Sequence, residues 1–156
     1  MKTIETPITG NESTGSPGSP LQALAQFYQA FNTRNLELMA QNWANSPDVA
    51  MSNPLGGIKR GWEEIQPVYA RIFRGKAEVY VEFHDYTLHE SGNMFYAVGR
   101  ERGTFRAAGT ELALAIRMSR IFQKIDGRWR QVHHHGSIDD PALLERYQRS
   151  VMSQSV

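Results

Sequence analysis

The second half of the chain alternates between apolar and polar side chains, and this pattern constrains the fold more than any other feature. It predicts four strands, over residues 77–88, 94–107, 111–125 and 128–137. Ser91-Gly92-Asn93 and Asp126-Gly127 supply short turns between them, and Asp-Gly is a strong hairpin signal. Because strands joined by short turns pair antiparallel, the pattern predicts a continuous meander.

The first half of the chain has helical periodicity. Ser19, Pro20 and Gln22 form a capping signal, and the apolar residues that follow them fall on one helical face. The other elements are expected as a helix over 35–44, a strand over 49–53, a helix over 61–74 and, after the meander, a last helix over 141–150. Three helices with one strand among them, followed by a meander, indicate an α+β fold with helices on one face of a curved sheet.

The domain organisation follows from where this periodicity begins and ends. Residues 1–18 are rich in Pro, Gly, Ser and Thr and show no apolar period. Such a composition buries too little apolar area to offset chain entropy. We therefore expect a flexible tail over residues 1–18, a single domain over 19–150 and a short tail over 151–156.

The overall composition narrows the class of function. The 17 Lys and Arg residues nearly balance the 16 Asp and Glu residues, which indicates neither a nucleic-acid nor a membrane partner. The absence of cysteine excludes thiol catalysis and thiolate metal sites. No phosphate-binding or dinucleotide-binding motif is present, so no cofactor is expected. With no apolar run of membrane length and no secretion signal, we expect a cytoplasmic protein.

Two sequence motifs resemble the SnoaL-like branch of the NTF2-like superfamily. The first, NPLGGIKRGWEEIQPVY, is an aromatic-rich helix after a Pro-Leu-Gly turn. The second, RIFQKIDGRWRQVHHHGS, is similar to the strand, Asp-Gly hairpin and Val-His-x-His run of the association (hub) domain of calcium/calmodulin-dependent protein kinase II. The likeness covers about residues 21–137. It implies an NTF2-like cone, in which three N-terminal helices pack in a strongly curved, mostly antiparallel sheet with a short C-terminal helix. It also implies a pocket at the open end and a homodimer formed through the sheet.

The run of three histidines suggests either a metal site or a catalytic base. In a strand, His133 and His135 face one side and His134 faces the other, so the three imidazoles do not converge on one ion. His84 and His89 are the other histidines, and nothing in the sequence places them nearby. We therefore predict no metal site and assign the run to packing, interface contacts and pocket lining.

Two arginines interrupt apolar stripes. Arg120 continues an apolar face of the third strand, and Arg100 follows Met94, Tyr96 and Val98 on one face of the second. From the residues alone, each arginine either lines a cavity and binds an anion or forms a salt bridge to an acid on an adjoining strand. The resemblance implies the first, because both match pocket arginines of the hub domain. The predicted pocket, suited to a small organic acid, comprises Arg100, Arg120, Trp43, Asn53, Trp62, Tyr69, Tyr96 and His134.

Three functions remain open at this point. The first is a non-catalytic SnoaL-like module that binds a small molecule, and this is our main expectation. The second is a cone-type isomerase, dehydratase or cyclase similar to ketosteroid isomerase, for which Asp48, Asp85 and His134 are the candidate bases. The third is a purely structural oligomerisation domain. The fold alone does not choose among them.

Overall fold

The computed structural model describes residues 1–12 and 18–153. The helices in these ranges are α1 (Pro20–Asn32), α2 (Leu36–Asn42), α3 (Trp62–Arg74) and α4 (Pro141–Met152). The strands are β1 (Ala50–Ser52), β2 (Ile58–Arg60), β3 (Glu78–Ser91), β4 (Met94–Ala107), β5 (Thr110–Ile125) and β6 (Arg128–Ser137). No helix in the described ranges is long and apolar enough to span a membrane.

The six strands form one curved sheet in the order β2-β1-β6-β5-β4-β3. Only the pairing of β1 with β6 is parallel, and the other neighbouring strands pair antiparallel. The predicted α+β cone is therefore confirmed, with N-terminal helices, a curved and mostly antiparallel sheet and a short C-terminal helix. The sequence pattern missed β2, because three residues are too few to show a period.

Local signals in the sequence set the ends of these elements. The hydroxyl oxygen of Ser19 accepts a hydrogen bond from the backbone nitrogen of Gln22 at 3.2 Å, which caps α1. Asp126 and Gly127 both adopt positive φ, at 51° and 78°, as a two-residue hairpin turn requires. The four meander strands consequently lie close to their predicted positions.

The core lies between the helices and the concave face of the sheet. Alternate residues of β5 are buried, as their spacing predicts, and they are Leu112, Leu114, Ile116, Met118, Arg120 and Phe122. On the other side of this core, α1 buries seven of its 13 residues. An arginine therefore lies inside an otherwise apolar layer, and its contacts define the site described below.

The beginning of the chain is docked on β3, which corrects the expectation of a flexible tail for residues 1–12. The backbone nitrogen of Ile4 donates to Tyr86 O at 2.8 Å, and Ile8 exchanges two bonds with Phe83 at 3.0 and 2.9 Å. Ile8 is only 4% exposed. The composition argument failed because it averaged two isoleucines into a polar segment. Residues 13–17 of the predicted tail lie outside the described residues.

The predicted C-terminal tail over residues 151–156 also needs correction. Its first two residues, Val151 and Met152, belong to α4. Residues 154–156 lie outside the part of the chain that the structure describes.

Candidate functional site

A buried ion pair between Arg120 on β5 and Glu101 on β4 lies at the centre of the interior. The two side chains are 1% and 7% exposed, and Arg120 Nη2 donates to Glu101 Oε1 at 2.7 Å. The hydroxyl of Tyr28 on α1 donates to the same carboxylate oxygen at 3.2 Å and accepts from Arg120 Nε at 3.3 Å. Such pairing offsets the large cost of burying each charge. Arg120 thus forms the salt bridge that the sequence left as an alternative.

The guanidinium of Arg120 is also held by neutral groups. Its Nη1 donates to Gln131 Oε1 at 2.8 Å and to His134 Nδ1 at 2.9 Å. Gln131 Nε2 in turn donates to Asn42 Oδ1 at 3.1 Å, which links the network to α2. The guanidinium carbon lies 3.6 Å from the ring centre of Phe27. These contacts on several sides fix the position of Arg120.

The protonation state of His134 follows from its contact with Arg120. A guanidinium only donates, so Nδ1 of His134 accepts and the proton of the neutral ring is on Nε2. Burial and then the positive charge of Arg120 hold the pKa of His134 well below its usual range. Within the described residues, its Nε2 makes no hydrogen bond. His134 is therefore a neutral side chain that offers a donor at Nε2.

Two further polar atoms are enclosed without a completed hydrogen bond, Nε1 of Trp43 and the hydroxyl oxygen of Tyr69. The ring of Trp43 lies 5.5 Å from that of His134 and 6.4 Å from that of Tyr69. Burial raises the pKa of Tyr69, while the charge of Arg120 and the nearby indole of Trp43 lower it. These groups are thus close, although none is aligned to complete a hydrogen bond with the hydroxyl. We refer to Trp43, Tyr69 and His134 as the donor cluster.

Five of the eight predicted pocket residues meet in this interior. Arg120, Tyr69 and His134 are joined by the contacts above, and Trp43 lies among them. The ring of Trp62 stacks on that of Trp43 with the ring centres 6.4 Å apart, and Trp62 is only partly buried. These five side chains therefore lie near one another in the interior.

Arg100 and Tyr96 do not join them, which corrects the expectation that both arginines share a cavity. Arg100 is half exposed, and its Nη1 lies 3.7 Å from Asp139 Oδ2. Tyr96 is 44% exposed, and its ring stacks on that of His89 with the ring centres 4.3 Å apart. Ala97, which pairs with Arg120, is buried, so β4 turns its odd-numbered residues inward. The two guanidinium groups therefore lie on opposite faces of the sheet.

The remaining predicted residues also lie away from the donor cluster. The side-chain oxygen of Asn53 accepts from Leu55 N at 2.9 Å in the turn after β1. Asp48 is exposed, and Asp85 is 48% exposed and pairs with Arg102 at 2.6 Å. Neither aspartate is in the interior.

Among the described residues, the acid inside the cone is Glu101, a strand acid that could face inward but was not among the predicted bases. A usable signal was present, because Glu101 continues the face of β4 that carries Phe95 and Ala97. Across the described residues, no three His, Asp or Glu side chains come together as metal ligands.

The interior around the donor cluster is closed in this conformation. Trp43 is 0% and Tyr69 3% exposed. An open cleft of about 440 Å³ lies elsewhere, where Asn32, Arg34 and Arg106 contribute to its lining. This cleft includes no member of the donor cluster, so access to the cluster requires movement of a covering element.

Comparison with known proteins places this chain in a family. The sequence profile of the SnoaL-like domain matches residues 21–141. The chain belongs to the SnoaL-like domain family. Many solved structures of NTF2-like proteins share the fold, so the resemblance inferred from the sequence motifs is confirmed. No curated protein matches the chain.

The similar structures share the fold at low sequence identity. An NTF2-like superfamily protein from Salmonella enterica serovar Typhimurium is 23% identical with a TM-score of 0.66, over 74% of this chain and 85% of its own. A Thiobacillus denitrificans protein is provisionally named a calcium/calmodulin-dependent protein kinase type II association domain. It is 22% identical with a TM-score of 0.62, over 78% of this chain and 96% of its own. A Streptomyces avermitilis protein of the NTF2-like family, provisionally named a dehydratase, is 18% identical with a TM-score of 0.64. The match covers 74% of this chain and 89% of its own. The hub-domain likeness therefore extends to the fold.

Proposed function

We propose that this SnoaL-like chain is a small-molecule-binding module whose ligand binds at the donor cluster. The observation that carries the proposal is the pair of buried donors that the protein leaves unused, Trp43 Nε1–H and the Tyr69 hydroxyl, beside the Nε2–H of His134. Unpaired buried donors are costly, and an acceptor oxygen relieves that cost. The ligand is therefore a small organic molecule with a carboxylate or carbonyl oxygen.

The charge of the interior refines this ligand class. The nearest cation, Arg120, is already paired with Glu101, so the two together add no net charge. Recognition then depends on hydrogen bonds to oxygen more than on a net negative charge. A small organic acid remains a suitable ligand, and a neutral carbonyl compound of similar size should compete with it.

The same geometry favours binding over proton transfer. A cone-type isomerase or dehydratase needs a base that can reach the substrate. The basic nitrogen of His134 is occupied by Arg120, and Glu101 accepts from both Arg120 and Tyr28. Asp48 and Asp85, the other candidate bases, are exposed. Among the described residues, the two interior groups that could take up a proton, His134 and Glu101, are thus both engaged by Arg120.

Calorimetric titration with a panel of small carboxylates and matched ketones tests the proposal. Tyr69→Phe removes one donor and keeps the ring, and the loss of that hydrogen bond should weaken binding about tenfold. Tyr96→Phe, on the outer face, is the matched control and should bind as the parent does. Equal affinity of Tyr69→Phe and the parent, or no binding by any panel member at millimolar concentration, would contradict the proposal.

We also propose that the chain forms a homodimer through the outer face of the sheet. Met94, Tyr96 and Val98 are neighbours on that face and are 45%, 44% and 44% exposed. A contiguous exposed apolar patch is typical of an interface. Sedimentation at micromolar concentration should show a dimer that Val98→Lys dissociates and Thr104→Lys, on the same face, leaves intact. A monomeric parent protein would refute this.

A further inference from the structure

The C-terminal helix α4 packs against the inward face of β4, the face that also carries Glu101. The ring of Tyr147 lies 5.4 Å from that of Phe105, a core residue only 2% exposed. Phe105 and Glu101 are both buried on this face of β4, and Tyr147 itself is partly exposed. Burial and then the negative charge of Glu101 raise the pKa of Tyr147 to about 12. The helix therefore covers the face of β4 that carries Glu101, the partner of Arg120.

The attachment of α4 to the rest of the protein is slight. Only Leu143 of its 12 residues is fully buried, whereas α1 buries seven of 13. Within the part of the chain that the structure describes, one side-chain hydrogen bond ties α4 to a distant segment, from Gln148 Nε2 to Leu55 O at 3.0 Å. Its ion pair, between Glu145 and Arg149, lies within the helix. Few buried contacts are typical of elements that open locally, without global unfolding.

The turn that receives the Gln148 bond is also suited to movement. Gly56 and Gly57 have φ values of 114° and 86°, and a side chain added at either would meet no neighbouring atom. The tip of the turn at Gly56 and Gly57 is thus open, whereas Pro54 at its base packs against Gly136. The bond from Gln148 to Leu55 joins α4 to this turn.

We propose that α4, together with the turn at residues 54–57, is the lid of the interior site. This inference rests on the proposed function, because it concerns how a ligand reaches the donor cluster. Opening of the helix uncovers Phe105 and the side of the interior that holds Glu101, and closing shields the bound ligand from water. Ligand uptake and release then proceed through local opening of α4.

Thiol labelling measures this opening directly, and because the chain contains no cysteine a single introduced cysteine is a clean reporter. Leu112→Cys reports on the layer beneath α4, since Leu112 pairs with Phe105 and is 6% exposed. Ala97→Cys is the control, because Ala97 pairs with Arg120 at 0% exposure. We expect labelling about tenfold or more faster at Leu112→Cys, because local opening is more frequent than global unfolding.

A second substitution assigns the opening to α4. Gln148→Met removes the bond to Leu55 and keeps the side-chain length, so it should speed labelling of Leu112→Cys about fivefold and leave Ala97→Cys unchanged. Arg146→Met, at an exposed position of the same helix, should change neither rate.

Equal labelling of the two reporters, or equal acceleration of both by Gln148→Met, would overturn the lid. If Leu112→Cys fails to fold, hydrogen exchange of the unmodified protein decides instead. The amides of α4 should then exchange through local opening, and faster than those of α1. If the amides of both helices exchange only through global unfolding, the inference is overturned. Neither measurement requires a ligand, so the lid and the proposed function fail independently.

Discussion

Replacing Arg120 with methionine tests whether the buried ion pair holds the interior together. The substitution keeps an apolar stem but leaves Glu101, only 5% exposed, without its counter-ion. Removing one partner of a buried pair costs about 3–5 kcal/mol, since the remaining charge is still desolvated. For a chain of this size that corresponds to a melting-temperature decrease of roughly 10 °C or more.

Urea denaturation of five proteins separates this cause from a general packing defect: the parent, Arg120→Met, Glu101→Gln, the double variant and Arg100→Met. In the double variant Arg120→Met/Glu101→Gln the unpaired charge is gone, so stability should recover by about 2 kcal/mol relative to the Arg120→Met single variant. Arg100→Met is the matched control and should cost less than about 0.5 kcal/mol, because its ion pair with Asp139 is half exposed. A loss below about 1 kcal/mol in Arg120→Met, or purely additive effects of the two substitutions, would refute the reasoning.

Two further predictions concern the docked N-terminus and the pH dependence. In denaturant titrations, Ile8→Ala should lower the free energy of unfolding by about 2 kcal/mol. Ile4 is only half buried, so Ile4→Ala should lower it by less. No effect of Ile8→Ala would mean that the segment is not docked in solution. Because the pKa of His134 is lowered in the folded state, the unfolded state binds a proton first as the pH falls below about 6.5, so stability decreases there by up to about 1.4 kcal/mol per pH unit. His134→Asn keeps an acceptor for Arg120 and should remove this part of the slope, whereas the exposed His135→Asn should retain it; an unchanged slope in His134→Asn would contradict the assignment.

Most of the fold could be predicted because its signals are local. The meander strands, the hairpin turns and the cap at Ser19 each depend on residues close together in sequence. The docking of Ile4 and Ile8 on β3 could not be predicted in this way, because two isolated bridges with a distant strand leave no period in a polar segment.

The site was predicted less completely than the fold. Alternation shows which residues share a face of a strand but not which face is buried, so Arg120 was placed correctly and Arg100 was not. The stripe that ends in Arg100 is apolar yet lies on the outer face. The unpaired donors of Trp43 and Tyr69 depend on how α2 and α3 approach β6, which no local pattern encodes.

The indole N–H resonance of Trp43 tests the central claim most directly. The chain has three tryptophans, so heteronuclear NMR gives three indole signals, and Trp43→Phe identifies the one that matters. On titration with a small carboxylate or ketone, the account predicts a saturable downfield shift of the Trp43 signal as its donor gains an acceptor. Trp129 lies elsewhere in the core, against Phe95, and its signal should stay in place. A Trp43 signal that does not move while the ligand binds would contradict the account, because the ligand would then be bound away from the donor cluster.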